Sequence, residues 1–129
     1  MKKILLLVVT GFLIGSCSTD RNVPQYQAVF GKWNWIESTG GIAGMPLTPQ
    51  STGNTIQLEI TKTTIGKYVD GKLESEQTYT IQIEPSIFGG EKPMIIYEND
   101  SKSSFEIKNN QLFLNEECND CFLSTYQKE

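Results

Sequence analysis

Residues 55–84 read TIQLEITKTTIGKYVDGKLESEQTYTIQIE. Ile56, Leu58 and Ile60 alternate with Gln57, Glu59 and Thr61, the two-residue period of a strand with one dry and one wet face. Thr64 to Val69 continues the pattern. Asp70-Gly71 then interrupts it with a residue pair that readily takes positive φ at both central positions of a tight hairpin turn. The chain returns as Lys72 to Glu84, the longest strand, with Tyr79, Ile81 and Ile83 on one side. Three strands joined by short turns, with no 3.6-residue period among them, predict an antiparallel meander.

The same period extends both ways from this stretch. Upstream, Gly31 to Ser38 places Trp33 and Trp35 on one face. Downstream, Pro85 to Pro93 reads as a loop carrying Gly89-Gly90, and Met94 to Glu98 as a short apolar strand. Phe105 and Ile107 mark the next strand, Asn109-Asn110 turns it, and Gln111 to Glu116 brings Leu112 and Leu114. Cys121 to Gln127 closes with Phe122, Ser124 and Tyr126 alternating. Eight antiparallel strands fit a barrel or a sandwich. Connections of mostly two to six residues suit nearest-neighbour pairing, so the expected fold is all-β, an eight-stranded up-and-down antiparallel barrel, in preference to a Greek-key sandwich. Closure also removes the exposed edges that invite aggregation.

The N-terminal segment has a different composition. Met1-Lys2-Lys3 is a positive start, and Ile4 to Ile14 is an apolar run of 11 residues broken only by Thr10 and Gly11. That is too short to cross a bilayer stably and suits a secretory signal. Leu13-Ile14-Gly15-Ser16-Cys17 follows and resembles the bacterial lipobox, whose cysteine takes a diacylglycerol and whose freed amine is then acylated. The resemblance implies a signal peptide over residues 1–16 and a lipidated Cys17. It also implies a polar tether over residues 17–29 and a barrel domain over residues 30–129. Acyl chains contribute ~0.8 kcal/mol per buried CH₂, and two or three together anchor a protein stably. The expected location is therefore the cell envelope, at the outer membrane, held through the lipid alone.

Charge and composition exclude several roles. The chain of 129 residues carries 11 basic and 15 acidic residues, a formal charge of −4. Without residues 1–16 it becomes −6, because Lys2 and Lys3 are lost. An acidic body has no electrostatic footprint for nucleic acid. There is no histidine, hence neither the commonest general base nor the commonest metal ligand. No nucleophile elbow, phosphate loop or Ca²⁺ loop is present. Glu116 and Glu117 are adjacent and point to opposite faces of a strand. Glu74 and Glu76 share a face, beside a polar hairpin where a solvated edge is the ordinary reading. No enzyme activity, cofactor or metal is expected.

Gly31-Lys32-Trp33, preceded by Phe30 and followed by Trp35 on the same face, resembles the G-x-W signature of the lipocalins. The Gly-, Thr- and Pro-rich first loop, Thr39 to Asn54, is similar to that of small lipocalin-like lipoproteins of Bacteroidetes-type bacteria. In that family the tryptophan plugs the closed end of the barrel, which assigns Trp33 a structural role. The family's arginine near the end of the last strand is absent, and Lys128 is the basic residue available to lie across the ring. A second motif of the T-D-Y type is also absent. The resemblance implies a small apolar or amphipathic ligand at the open end.

Trp35, one layer closer to the long loop, is either core or ligand wall. Ile42, Met45 and Leu47 are apolar residues of the first loop with no strand to bury them, so they must pack on something: as a fixed plug, or as a lid over a ligand. Pro46 and Pro49 keep that loop out of the sheet. Tyr79, inward on the longest strand, completes the expected ligand set. Cys118 and Cys121 flank an Asn-Asp turn outside the reducing cytoplasm, and a structural disulfide is the expected state, with free thiols or a redox or metal pair as alternatives. Ile56, Leu58, Ile60, Tyr79, Ile81, Ile83, Leu112, Leu114, Phe122 and Tyr126 are mostly large for inward positions, which argues for a nearly filled interior. Two functions therefore stand side by side: an anchored ligand-binding barrel, and an envelope interaction or inhibitor module with a filled barrel that works through its loops on a protein partner.

Overall fold

The computed structural model describes residues 26–42 and 44–129. The segment expected to be a signal peptide, Cys17 and most of the expected tether lie outside the described residues. Eight strands follow one another: β1 (Gly31–Gly40), β2 (Ile56–Ile60), β3 (Thr64–Val69), β4 (Lys72–Pro85), β5 (Glu91–Tyr97), β6 (Lys102–Lys108), β7 (Gln111–Glu116) and β8 (Phe122–Lys128). Each pairs antiparallel with the next, and β8 returns to β1, with Trp33 opposite Lys128 and Trp35 opposite Tyr126. The result is a closed up-and-down barrel, as expected from the meander.

The turns explain the order. Asp70 and Gly71 both have positive φ, 51° and 79°, and so do Asn109 and Asn110, at 51° and 60°. These are residue types that tolerate the left-handed conformation a two-residue hairpin demands. β4 pairs with β3 through Thr78 and with β5 only from Tyr79 onward. One long strand is thus handed from one neighbour to the other, a stagger that tilts the strands and lets a sheet close.

Two bulges reset which side chains face inward. Between Trp35 and Glu37 the β1–β8 register shifts by one. Parity would otherwise put Glu37 inside; the bulge puts Ser38 there instead, buried. On β4, Leu73 and Ser75 oppose the adjacent residues Tyr68 and Lys67, leaving Glu74 as the extra residue. Glu74 pairs with Lys67 at 3.1 Å and lines the interior, whereas Glu76 lies near Tyr68 on the opposite side. The expectation that Glu74 and Glu76 share a face is corrected by this one inserted residue.

The core is concentrated at one end. Val29, Trp33, Ile60, Ile95 and Leu112 are all but fully buried there. A short 3-10 turn, Gln27–Val29, leads into β1, and the Trp33 indole N–H donates to the Val29 carbonyl at 2.8 Å. Tyr26 meets Phe105 edge to face at 5.8 Å. Tyr26, Val29 and Phe30 thus pack on the closed end and cover apolar surface that it would otherwise expose. The Lys128 ammonium stands 4.5 Å from the Trp33 ring centroid and donates to the Phe30 carbonyl. Gly31 has φ +126°, and a Cβ there would come within 2.7 Å of the Lys128 nitrogen. The glycine of the G-x-W triplet is thus needed to let the lysine cross.

The β4–β5 connection departs most from expectation. The loop over residues 85–93 shrinks to 86–90, since Glu91, Lys92 and Pro93 pair with β4. Pro93 is accommodated because β5 pairs with β6 only over residues 94–96, leaving its other side without a ladder to break. Ile83 is 56% exposed on this extended hairpin, outside the barrel core. The tip folds back: the Ser86 hydroxyl and the Ile87 amide both donate to the Glu117 carboxylate at 2.8 Å, and Lys102 pairs with Glu84 at 2.5 Å. This explains how Met94 and Ile95, adjacent and facing opposite ways, are both buried: Ile95 lies in the core, and Met94 is sheltered on the outer face.

Candidate functional site

Inward side chains fill the closed end and leave the other end hollow. The cavity, together with the crevice under the folded-back β4–β5 hairpin that opens to it, measures about 1000 Å³. Its mouth is framed by the first loop, the Asp70-Gly71 turn, the turn at residues 98–101 and the disulfide turn at residues 117–121. The expectation of a nearly filled interior is corrected here. Three inward positions, Ser38, Ser103 and Ser124, carry small side chains and cluster on β1, β6 and β8, while Ile83 contributes nothing to the filling. Of the small residues, only Ser124 was visible in the alternation; Ser38 is turned inward by a bulge that has no signature in the sequence.

The two long walls differ. Ile56, Leu58, Ile65 and Val69 on β2 and β3 give an apolar side. The wall built from β1 and β5–β8 is aromatic and hydroxylated. The Trp35 N–H donates to the Ser38 hydroxyl at 2.9 Å, and that hydroxyl shares a hydrogen bond of 2.6 Å with Ser124. The Tyr126 phenol lies beside Ser124 and Tyr97, and Tyr97 beside Ser103. Burial pushes both phenol pKa values up, so both hydroxyls stay protonated and neutral at physiological pH. Each is available to donate or to accept. Trp35 is thus a wall residue of the cavity, one of the two roles open to it.

The remaining ligand set divides. Leu47 lines the mouth, stitched to β1 by reciprocal backbone bonds with Ser38 at 2.8 and 2.9 Å. Among the described residues of the loop, only this one bridges to the sheet, between Pro46 and Pro49. Ile42 is 97% exposed and Met45 72% exposed, and neither lines the cavity. The fixed-plug alternative is corrected for these two residues: the stitch at Leu47 and a one-turn helix, α1 (Pro49–Thr52), hold the loop without them. Thr48 caps α1, with the Thr48 and Ser51 side chains each accepting from the other's amide. Thr48-Pro49 followed by Ser51 is a legible start signal for a helix that strand reading passed over. Tyr79 is also placed differently: it is buried near the closed end, its hydroxyl donating to the Thr61 carbonyl at 2.5 Å, and it does not reach the cavity.

Cys118 and Cys121 are joined by a disulfide with Cα atoms 5.6 Å apart. With Glu116 they form the one cluster of potential metal ligands among the described residues. Both sulfurs are bonded to each other, so the cluster offers no thiolate. Glu117 is half-buried beside the disulfide turn. Burial is the largest single influence on its pKa and raises it, but the Ile87 amide, the Ser104 and Ser86 hydroxyls and nearby Lys92 together outweigh that and hold it below the usual carboxylate range. Among the described residues no helix is long and apolar enough to cross a membrane. No protein-family model matches this sequence, and no curated protein sequence matches it.

Proposed function

We propose that this chain is a membrane-anchored, lipocalin-like binding protein of the cell envelope that holds a small apolar or amphipathic ligand at the open end of its barrel. The observation that carries this reading is the cavity, about 1000 Å³ together with its adjoining crevice, in which an apolar wall faces a hydroxylated one. Small-molecule sites combine those two features: apolar area supplies affinity, and a few placed polar groups fix orientation. The anchor rests on the lipobox-like run ending at Cys17.

Native mass spectrometry of the protein purified from its own membrane tests the proposal. A retained small molecule, lost in a Leu58→Trp variant that fills the chamber, is the expected result. A retained protein with an empty chamber would favour the second reading, an interaction module acting through exposed loop residues such as Ile42 and Met45. Cys17→Ser tests the anchor separately. The variant should take up no labelled palmitate and leave the membrane fraction; continued labelling would refute lipidation at that site.

A further inference from the structure

Charge at the mouth narrows the class of ligand. Three carboxylates line the chamber and its rim, those of Glu74, Asp100 and Glu116, against one ammonium group, Lys67; Glu84, Lys102 and Glu117 belong to the hairpin folded back on the outer face and its contacts. Both lysines are already matched, Lys67 by Glu74 at 3.1 Å and Lys102 by Glu84 at 2.5 Å. The Glu117 carboxylate is taken up by the folded-back hairpin. Glu116 is different. It accepts one hydrogen bond, from the Phe122 amide at 3.2 Å, and has no basic partner among the described residues. It stands opposite Ser103 in the β6–β7 ladder and lines the cavity with Tyr97 and Tyr126, which places it beside the hydroxylated wall.

An anionic head group entering this mouth meets unmatched negative charge and, among the described residues that line it, no unpaired cation. A cationic head group meets the Glu116 carboxylate together with the rings of Trp35, Tyr97 and Tyr126, and aromatic faces attract cations. The serine and tyrosine hydroxyls serve either sign, since they donate and accept alike. We infer that the barrel selects amphiphiles with an ammonium head group, Glu116 holding the head group at the rim while the apolar tail lies against the Ile56–Leu58 wall. This rests on the binding reading above and assigns it a ligand chemistry.

The test uses three probes of one chain length, decylamine, decanoate and decanol, titrated into the full chain carrying Cys17→Ser so that no acyl groups or detergent compete. Trp35 fluorescence and calorimetry report binding. Decylamine should bind about tenfold tighter than decanoate, the size of one charge-assisted contact, with decanol between them. Glu116→Gln keeps an acceptor for the Phe122 amide, so it should retain the unfolding midpoint and the decanol affinity while erasing most of the difference between the charged probes. Salt gives a measurement independent of any variant: raising it should weaken decylamine and strengthen decanoate. Decanoate binding as tightly as decylamine, or a preference unmoved by Glu116→Gln or by salt, overturns the ammonium assignment and leaves the binding reading intact. Failure of all three probes to bind overturns both.

Discussion

Trp33 and Trp35 stand two residues apart on one strand and one face, yet they belong to different environments. Trp33 is 1% exposed, its N–H donates to a backbone carbonyl, and a lysine crosses its ring. Trp35 is nearly as buried, but its ring borders an open chamber and its N–H donates to a serine that is itself shared with a second serine. At the closed end, large side chains are fixed by backbone groups that cannot move without unfolding the barrel. At the mouth, small hydroxyls leave space and rotate. The contrast teaches that strand parity assigns a face but not a depth, and depth decides whether an inward aromatic is structure or site.

Alanine substitutions at the two tryptophans should separate the ends most strongly. Trp33→Ala opens a cavity in packed surroundings and should cost about 3–5 kcal/mol, a large share of a total stability of about 5–15 kcal/mol. Trp35→Ala enlarges a space that already exists and leaves a single acceptor, the Ser38 hydroxyl, without its donor, so it should cost at least about 1 kcal/mol less. Equal losses in denaturant unfolding would erase the distinction between the two ends.

The disulfide comes next. Its loop is so short that the chain-entropy expression gives only about 2 kcal/mol, strain aside. The Cys118→Ser, Cys121→Ser double variant should fall by that much or less and keep the cavity. Alkylation should find no free thiol at either position before reduction; two alkylations in the folded, oxidised protein would contradict the bond.

The Glu117 contact gives a smaller and pH-dependent effect. Its folded pKa lies below the unfolded one, so the contact stabilises the hairpin above the ordinary carboxylate range and is lost as pH falls through the folded value. Protection of the Ile87 amide from hydrogen exchange should weaken on acidification, after correction for intrinsic rates, by about 1 kcal/mol. Glu117→Gln should flatten that dependence. A hairpin equally protected at both pH extremes would show that other contacts hold it.

Met45→Asp should have the least effect on stability, within about 0.5 kcal/mol, because the side chain is already in water. A fall of several kcal/mol would mean that the loop is a buried plug after all.

Much of the barrel was legible in advance. Asp70-Gly71 and Asn109-Asn110 have the residue chemistry their turns require, and the Ile56–Leu58–Ile60 alternation survives intact as the inner face of β2. The missed bulge and the folded-back hairpin share a cause: each is a tertiary effect without a local signature. Nothing in Trp35-Ile36-Glu37-Ser38 announces a bulge. Nothing in Ser86-Ile87-Phe88 says that the hairpin bends back to a glutamate 30 residues on. Ile42 and Met45 were misread because apolar residues were assumed to need cover, whereas the stitch at Leu47 holds the loop without them. Tyr97, by contrast, alternates with Ile95 and could have been found.

Seven of the eight ladders join strands that are neighbours in the chain, and their nucleation requires little chain to be ordered. The eighth brings Trp33 opposite Lys128, about 95 residues away, and ends with the Glu129 amide donating to the Lys32 carbonyl. Bringing such distant segments together costs about 4 kcal/mol of loop entropy by the logarithmic rule if the intervening chain is free, and far less once the seven hairpins have shortened the path. The seam therefore forms late, and substitutions along it act chiefly on the unfolding rate. Synthesis adds a direction to this. Trp33 is made about 95 residues before Lys128, so the ladder that seals the tryptophan cannot form until the strand that carries the lysine has been made.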